Sequence, residues 1–388
     1  MAKPLPVDPY QTIYINCCRI LGNSAWGRVR AAIDNDIPPE DFPNQLQAIK
    51  DRLGLPDFID DVARIEWSQN QLHDLKTALP GKPVQAPAVN PAFTLVPVSW
   101  KHLPAIFRAD LEKKGPQPLT SPIHVMIWRH PETDRLHLRE ADDIDLLALK
   151  IVVEGIDPRD AAAIGNVTVG AIHSAIEHGV TQGFLLSPGS FISRLCPSPV
   201  ADSEIFDAFR TVETFTLQWH ITQACDLHCK HCYDRSDRSP MPYDMALTIL
   251  DDFYRFCRQM QVRGQVTFTG GNPFLYPQFY ELYQAAHDLG FELAVLGNPT
   301  PIQQVKRLCD IAKPSLFQIS LEGLAEYNDY IRGKGHFERS LEFLDVLRRL
   351  GIYSMVMLTV TRDNLDQVML LVDELKQRTD AFNFNRLS

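Results

Sequence analysis

Three cysteines, Cys225, Cys229 and Cys232, stand in the spacing C-x3-C-x2-C within the stretch TLQWHITQACDLHCKHCYD, residues 216–234. Thiolates are soft ligands that suit iron–sulfur clusters or zinc. Three thiols close together, with no obvious fourth, suit a cubane cluster that leaves one iron open. Zinc sites usually show a second C-x2-C pair or distant histidines at fixed spacing; no second pair exists, so zinc and three unrelated thiols stand as the alternatives. An apolar, alternating run over 215–221 leads into the first cysteine, and a helical pattern opens at Tyr243. The spacing therefore places the thiols on a loop at the end of a strand.

The elements that must position this loop follow in regular alternation. Strands are expected at 215–222, 265–269, 292–296, 316–321, 353–360 and 381–385. Helices are expected between them at 243–261, 277–289, 302–312, 337–350 and 365–378. Apolar strands alternating with helices mean a parallel sheet with right-handed crossovers, and six such units make a partial (β/α)6 TIM-like barrel over 212–388. Ligands in such sheets sit at the C-terminal strand ends. There stands Gly270-Gly271-Asn272-Pro273, whose glycines let the backbone approach a ligand closely. Asn298, Ser320, Glu322, Arg332, Thr359 and Asn364 also stand at or just beyond strand ends.

C-x3-C-x-φ-C followed by an aromatic, with His231 as φ and Tyr233 as the aromatic, resembles the signature of the radical S-adenosylmethionine (radical SAM) family. The resemblance covers 213 to the C-terminus. It implies that the three cysteines hold a [4Fe–4S] cluster whose open iron binds the amino and carboxylate groups of S-adenosylmethionine. It implies cofactor-binding roles for Tyr233, Gly270, Gly271, Asn272, Pro273, Asn298, Ser320, Glu322 and Arg332, with Arg332 as partner of the methionine carboxylate. Asn272 stands where the family usually has Glu, so Asn272→Glu is expected to bind the cofactor at least as well as the parent. Thr359 and Asn364 would contact adenine or ribose. Cys196 would be a fourth ligand or substrate contact, or a plain loop thiol.

The segment SLEGLAEYNDYIRGKGHFERSLEFLDVLRRLGIYSMVMLTVTRDN is similar to the peptide-modifying (SPASM-like) branch, including ribosomal-peptide maturases of the thio(seleno)oxazole-associated type. Members commonly carry a cysteine-rich C-terminal extension. The chain stops at Ser388 without one, as a short form or an early-ending reading frame would. The resemblance implies a peptide or small-protein substrate and a reductant such as flavodoxin or ferredoxin. A radical enzyme on a small molecule, or an iron–sulfur regulatory protein that binds DNA, are the other readings.

Composition narrows the classes further. Hydrophobic residues make up 45% and charged residues 22% of 388, ordinary for a globular protein, and the net charge of −10 argues against nucleic acid or an anionic membrane as main partner. No run approaches the ~18 apolar residues that span a bilayer, and no signal peptide is visible. Clustered free thiols imply a reducing cytoplasm.

Residues 1–115 are expected to be a helical domain ending in a Pro-rich linker, with residues 80–98 as an extended strap. Residues 122–190 are expected to form a winged-helix-like α+β domain, in the order strand, strand, helix, helix, helix, strand. Its third helix, TVGAIHSAIEHGVTQ, has no Lys or Arg, whereas DNA recognition needs cations for phosphates. By resemblance, such a domain adds a leader peptide as an extra strand; a purely structural role is the alternative.

Overall fold

The computed structural model describes residues 9–34, 37–74, 84–108, 118–193, 211–232 and 238–386. The chain divides into two compact units. One comprises residues 1–161 with 174–189, the other 162–173 with 190–388. No helix among the described residues is long and apolar enough to cross a membrane.

The first unit begins with four helices, α1 (Pro9–Ile13), α2 (Ile15–Ala32), α3 (Phe42–Leu53) and α4 (Ile59–Asp74). Phe42, Leu46 and Ile49 recur at helical spacing on α3 and are buried, and Gly54 ends that helix in a left-handed conformation. They pack with Tyr14, Trp26, Ile59, Val62 and Ile65. Burying each large apolar side chain contributes about 1.5–3 kcal/mol.

Of the strap expected at 80–98, the described residues 84–98 are not all extended linker. They contain β1 (Ala88–Val89) and most of β2 (Phe93–Lys101), which is followed by α5 (Leu103–Arg108). β2 pairs antiparallel with β3 (Leu119–Arg129), and β3 with β4 (Leu136–Glu140), in the order β2-β3-β4. The prolines masked this strand. Pro97 sits opposite His124 on an edge strand, where proline is tolerated. The sheet thus joins a strand from the expected first domain to two from the expected second. β3 is buried on both faces: Val125 and Ile127 face the helical core, while Met126 and Trp128 join Ala148, Ala175 and Phe184.

Then come α6 (Asp143–Glu154), α7 (Pro158–Gly165), α8 (Val169–Gln182) and β5 (Leu185–Leu186), which returns to pair with β1. Asp142 and Asp145 form a reciprocal capping box at the start of α6.

The second unit carries the parallel sheet. Its strands are β6 (Thr214–Thr222), β7 (Arg263–Gly270), β8 (Glu292–Leu296), β9 (Leu316–Ser320), β10 (Ser354–Val360) and β11 (Ala381–Arg386). They lie in chain order, every pair parallel, and β6 and β11 are the two open edges. The intervening helices are α9 (Tyr243–Met260), α10 (Phe279–Asp288), α11 (Ile302–Ile311), α12 (Ala325–Arg332), α13 (His336–Leu350) and α14 (Val368–Leu375). Trp219, Leu250, Phe268, Phe279, Phe317 and Leu344 belong to one core between sheet and helices. All six strands were expected from the sequence; α12 was not.

Candidate functional site

The cysteine loop leaves the C-terminal end of β6 and is held there by backbone. Gly271 N–H donates to Thr222 O at 2.9 Å and Asn272 N–H to Ala224 O at 2.8 Å. A Cβ on Gly270 would stand 2.2 Å from Thr222 O, and one on Gly271 2.3 Å from Ala224 O. Gly270 also has φ +136, a conformation that side chains resist. The close approach expected of this glycine pair is therefore to the cysteine loop itself.

Asp226 is a node between strand ends. Its Oδ1 accepts from Asn272 Nδ2 at 3.1 Å and from Asn298 Nδ2 at 2.6 Å. Asn272 and Asn298 are 2% and 8% exposed, whereas Asp226 is exposed. Asn272 turns its Oδ1 to Phe274 N–H at 3.3 Å, capping the short turn that starts at the buried Pro273. Asn298 Nδ2 also lies 3.5 Å from Cys225 Sγ.

A second clamp comes from β9 and α12. Glu322, 2% exposed, accepts from Arg332 Nε at 2.9 Å and Nη2 at 2.5 Å. His231 Nε2 lies 3.4 Å from the same oxygen, and Thr359 N–H donates to the other at 3.3 Å. Burial alone would raise the Glu322 carboxyl; the His231 hydrogen bond and the Arg332 guanidinium outweigh it and hold the group below its usual range. Arg332 Nη1 reaches Cys229 Sγ at 3.8 Å. Lys230 N–H donates to Ile331 O at 3.0 Å, and Lys230 Nζ stands 3.0 Å above the Tyr330 ring. Arg332 is thus on the last turn of α12, bridging a carboxylate and a thiol.

The structure brings Cys225, Asn272 and Asn298 together around Asp226, and Cys229, Glu322 and Arg332 into one cluster. Ser320 is half-buried at the end of β9. Asn364, 1% exposed, spends its Nδ2 on Glu322 O and Thr359 O and its Oδ1 on Thr361, so it braces the rim from within. Tyr233 and Cys196 lie outside the described residues. The sequence reading missed Asp226, Lys230 and Asn328, which accepts Glu322 N–H at 3.1 Å. The visible signal for two of them was charge inside the cysteine motif. On the same rim, Leu324, Glu326, Tyr327, Tyr330 and Gln367 line an open cleft of about 470 Å³.

Three thiols on one loop are soft donors of the kind that hold an iron–sulfur cluster. Burial pushes the Cys229 thiol up; Arg332 pulls it down, and Cys225 and Cys232 push it up further. Among the described residues, no three His, Cys, Asp or Glu gather tightly enough to hold one metal ion.

Comparison with known proteins agrees with that chemistry. Mycofactocin maturase MftC of Mycolicibacterium smegmatis is 33% identical over 156 residues, 39% of this chain and 39% of that protein. An AdoMet-dependent heme synthase of Oleidesulfovibrio alaskensis is 32% identical over 157 residues, 38% of this chain and 39% of that protein. The chain thus spans 39% of the length of these two curated relatives. The solved structure of Streptococcus suis SuiB bound to precursor peptide SuiA aligns with a TM-score of 0.40 at 18% identity, over 68% of this chain and 60% of that one. A family model, that of the radical SAM superfamily, matches from Trp219 within β6 to Leu375 at the end of α14, taking in all three thiols and both clamps. Radical SAM proteins work with a [4Fe–4S] cluster and S-adenosylmethionine. Residues 219–375 of this chain form a radical SAM domain.

Proposed function

We propose that the chain is a radical SAM enzyme that modifies a peptide. The observation that carries the reading is the three-thiol loop, pinned to the strand ends through Asp226 and through the Glu322–Arg332 pair. Cys225, Cys229 and Cys232 would hold the cluster. Gly270, Gly271, Asn272, Pro273, Asn298 and Ser320 would border the cofactor, with Tyr233 beside the last cysteine. When bound, the two groups supply reductive cleavage of the sulfonium and a 5′-deoxyadenosyl radical that takes a hydrogen atom from substrate. The chain's own residues orient the thiols, hold Arg332 against Glu322 and border the cleft at the rim. A flavodoxin or ferredoxin would supply the electron.

The peptide assignment is supported by the likeness to a mycofactocin maturase and by the β2-β3-β4 sheet. Among the described residues β2 and β4 are the outer strands of that sheet, and extended peptides add to outer strands through backbone hydrogen bonds. The likeness to a heme synthase at similar identity favours a second reading, a tetrapyrrole as substrate. The test is anaerobic reconstitution with iron and sulfide, then incubation with S-adenosylmethionine, dithionite and either candidate precursor peptides or a tetrapyrrole. Formation of 5′-deoxyadenosine with a mass change in a peptide is expected. A mass change confined to the tetrapyrrole would replace the peptide reading.

A further inference from the structure

S-adenosylmethionine carries an α-amino group and a sulfonium against one carboxylate, so its site needs an anionic acceptor. Close to the cysteine loop, Glu322 is spent on Arg332, His231 and Thr359 N–H. Asp329 is spent on the backbone N–H groups of Gly335 and Phe337. Asp226 differs from both. Its Oδ1 is fixed by two amide donors, each more than nine-tenths buried, while its Oδ2 takes no protein donor among the described residues. It follows Cys225 directly, and Asn298 touches both residues. Asn272 does not offer the same acceptor: its Oδ1 serves Phe274 N–H and its Nδ2 serves Asp226.

We propose that Asp226 is a cofactor-binding residue whose carboxylate accepts from the α-amino group of S-adenosylmethionine, with Asn272 and Asn298 as the amides that aim it. This rests on the radical SAM reading. It reverses the expectation for Asn272→Glu, because a carboxylate there would replace a donor to Asp226 with a like charge.

The test uses the full chain with its cluster reconstituted and measures S-adenosylmethionine binding by equilibrium dialysis, with iron per chain measured alongside. Asp226→Asn keeps an oxygen for both amide donors and removes only the charge. It should keep the parental iron content and weaken binding about tenfold, as loss of a charge-assisted hydrogen bond does. Asn272→Glu should also weaken binding, and the double variant Asp226→Asn/Asn272→Glu should recover most of the loss, since one carboxylate is again paired with one amide. Parental affinity in Asp226→Asn, tighter binding in Asn272→Glu alone, or no recovery in the double variant would each overturn the assignment and leave the radical SAM reading intact. A parent chain that holds its cluster but binds no S-adenosylmethionine would overturn both.

Discussion

The thiols and the buried histidine make separate demands on the chain. Replacing Cys225, Cys229 and Cys232 together by Ala removes every soft donor on the loop, and the variant should lose the brown absorbance and the cleavage of S-adenosylmethionine. Parental iron content in that triple variant, after anaerobic reconstitution, would show that the cluster lies elsewhere. His336 sets a pH limit. It is 1% exposed; its Nδ1 pairs with Asn328 Nδ2 at 3.1 Å, which leaves the proton on Nε2, where no hydrogen-bond partner is present among the described residues. Burial, followed by the charges of Arg332 and Arg339, pulls its pKa from 6.5 down to about 4. A depressed histidine pKa means that the unfolded chain binds the proton first as pH falls. Stability is therefore full above about pH 6.5 and declines towards pH 4, by roughly 3 kcal/mol for this group. Asp329, whose pKa is lowered from 3.8, titrates below that window. Urea midpoints at pH 7 and pH 4.5 should differ less in His336→Gln than in the parent; an equal difference would remove His336 from the account.

Among the elements, the parallel sheet was legible because its strands are apolar runs set at regular intervals between amphipathic helices. β8 has the bounds expected of it. What the pattern hid were elements whose residues speak against their own conformation. β2 carries Pro97 at an edge, and α12 is so polar, AEYNDYIR, that it reads as a loop. Missing α12 had a cost at the site, because Arg332 was expected only as partner of the methionine carboxylate and its pairing with Glu322 was invisible. The glycine pair after β7 was found, but its neighbour was not, since long-range backbone contact leaves no local trace in sequence. α12 is joined to α13 by Asp329, which accepts from Phe337 N–H at 2.9 Å and from Gly335 N–H at 2.5 Å. Asp329 thus serves orphan donors at the start of α13 in the manner of a cap. Asp329→Ala should cost about 1–2 kcal/mol, read as a lower denaturation midpoint. An unchanged midpoint would mean that water serves those amides equally well.

At the scale of the whole molecule, the proposal joins peptide capture on the β2-β3-β4 sheet to chemistry at the parallel sheet. Tethering raises the effective concentration of a core segment, so a precursor with its leader should be modified on the order of tenfold or more faster than the core alone. Along an antiparallel edge, successive N–H groups alternate between facing the partner strand and facing outward. Leu136→Pro takes one backbone N–H from β4 and so weakens any strand added there. That variant should modify leader-bearing and leaderless peptides at similar rates while releasing 5′-deoxyadenosine at the parental rate without peptide. A persisting preference for the leader-bearing peptide would place capture on another surface.

The backbone seam between the end of β7 and the cysteine loop also governs which amino-acid changes the chain tolerates. Most positions in a protein accept some substitution because a neighbouring side chain can turn aside, and the cost is then set by size or polarity. At Gly270 and Gly271 the opposing atoms are carbonyl oxygens, which have no rotamer to change. Every replacement there meets the same obstruction, whatever its chemistry. In a library of all substitutions, these two positions should read as all-or-none columns, with alanine as damaging as tryptophan. Asp226, held by the Asn272 amide beside this seam, should show a graded ranking by charge and shape.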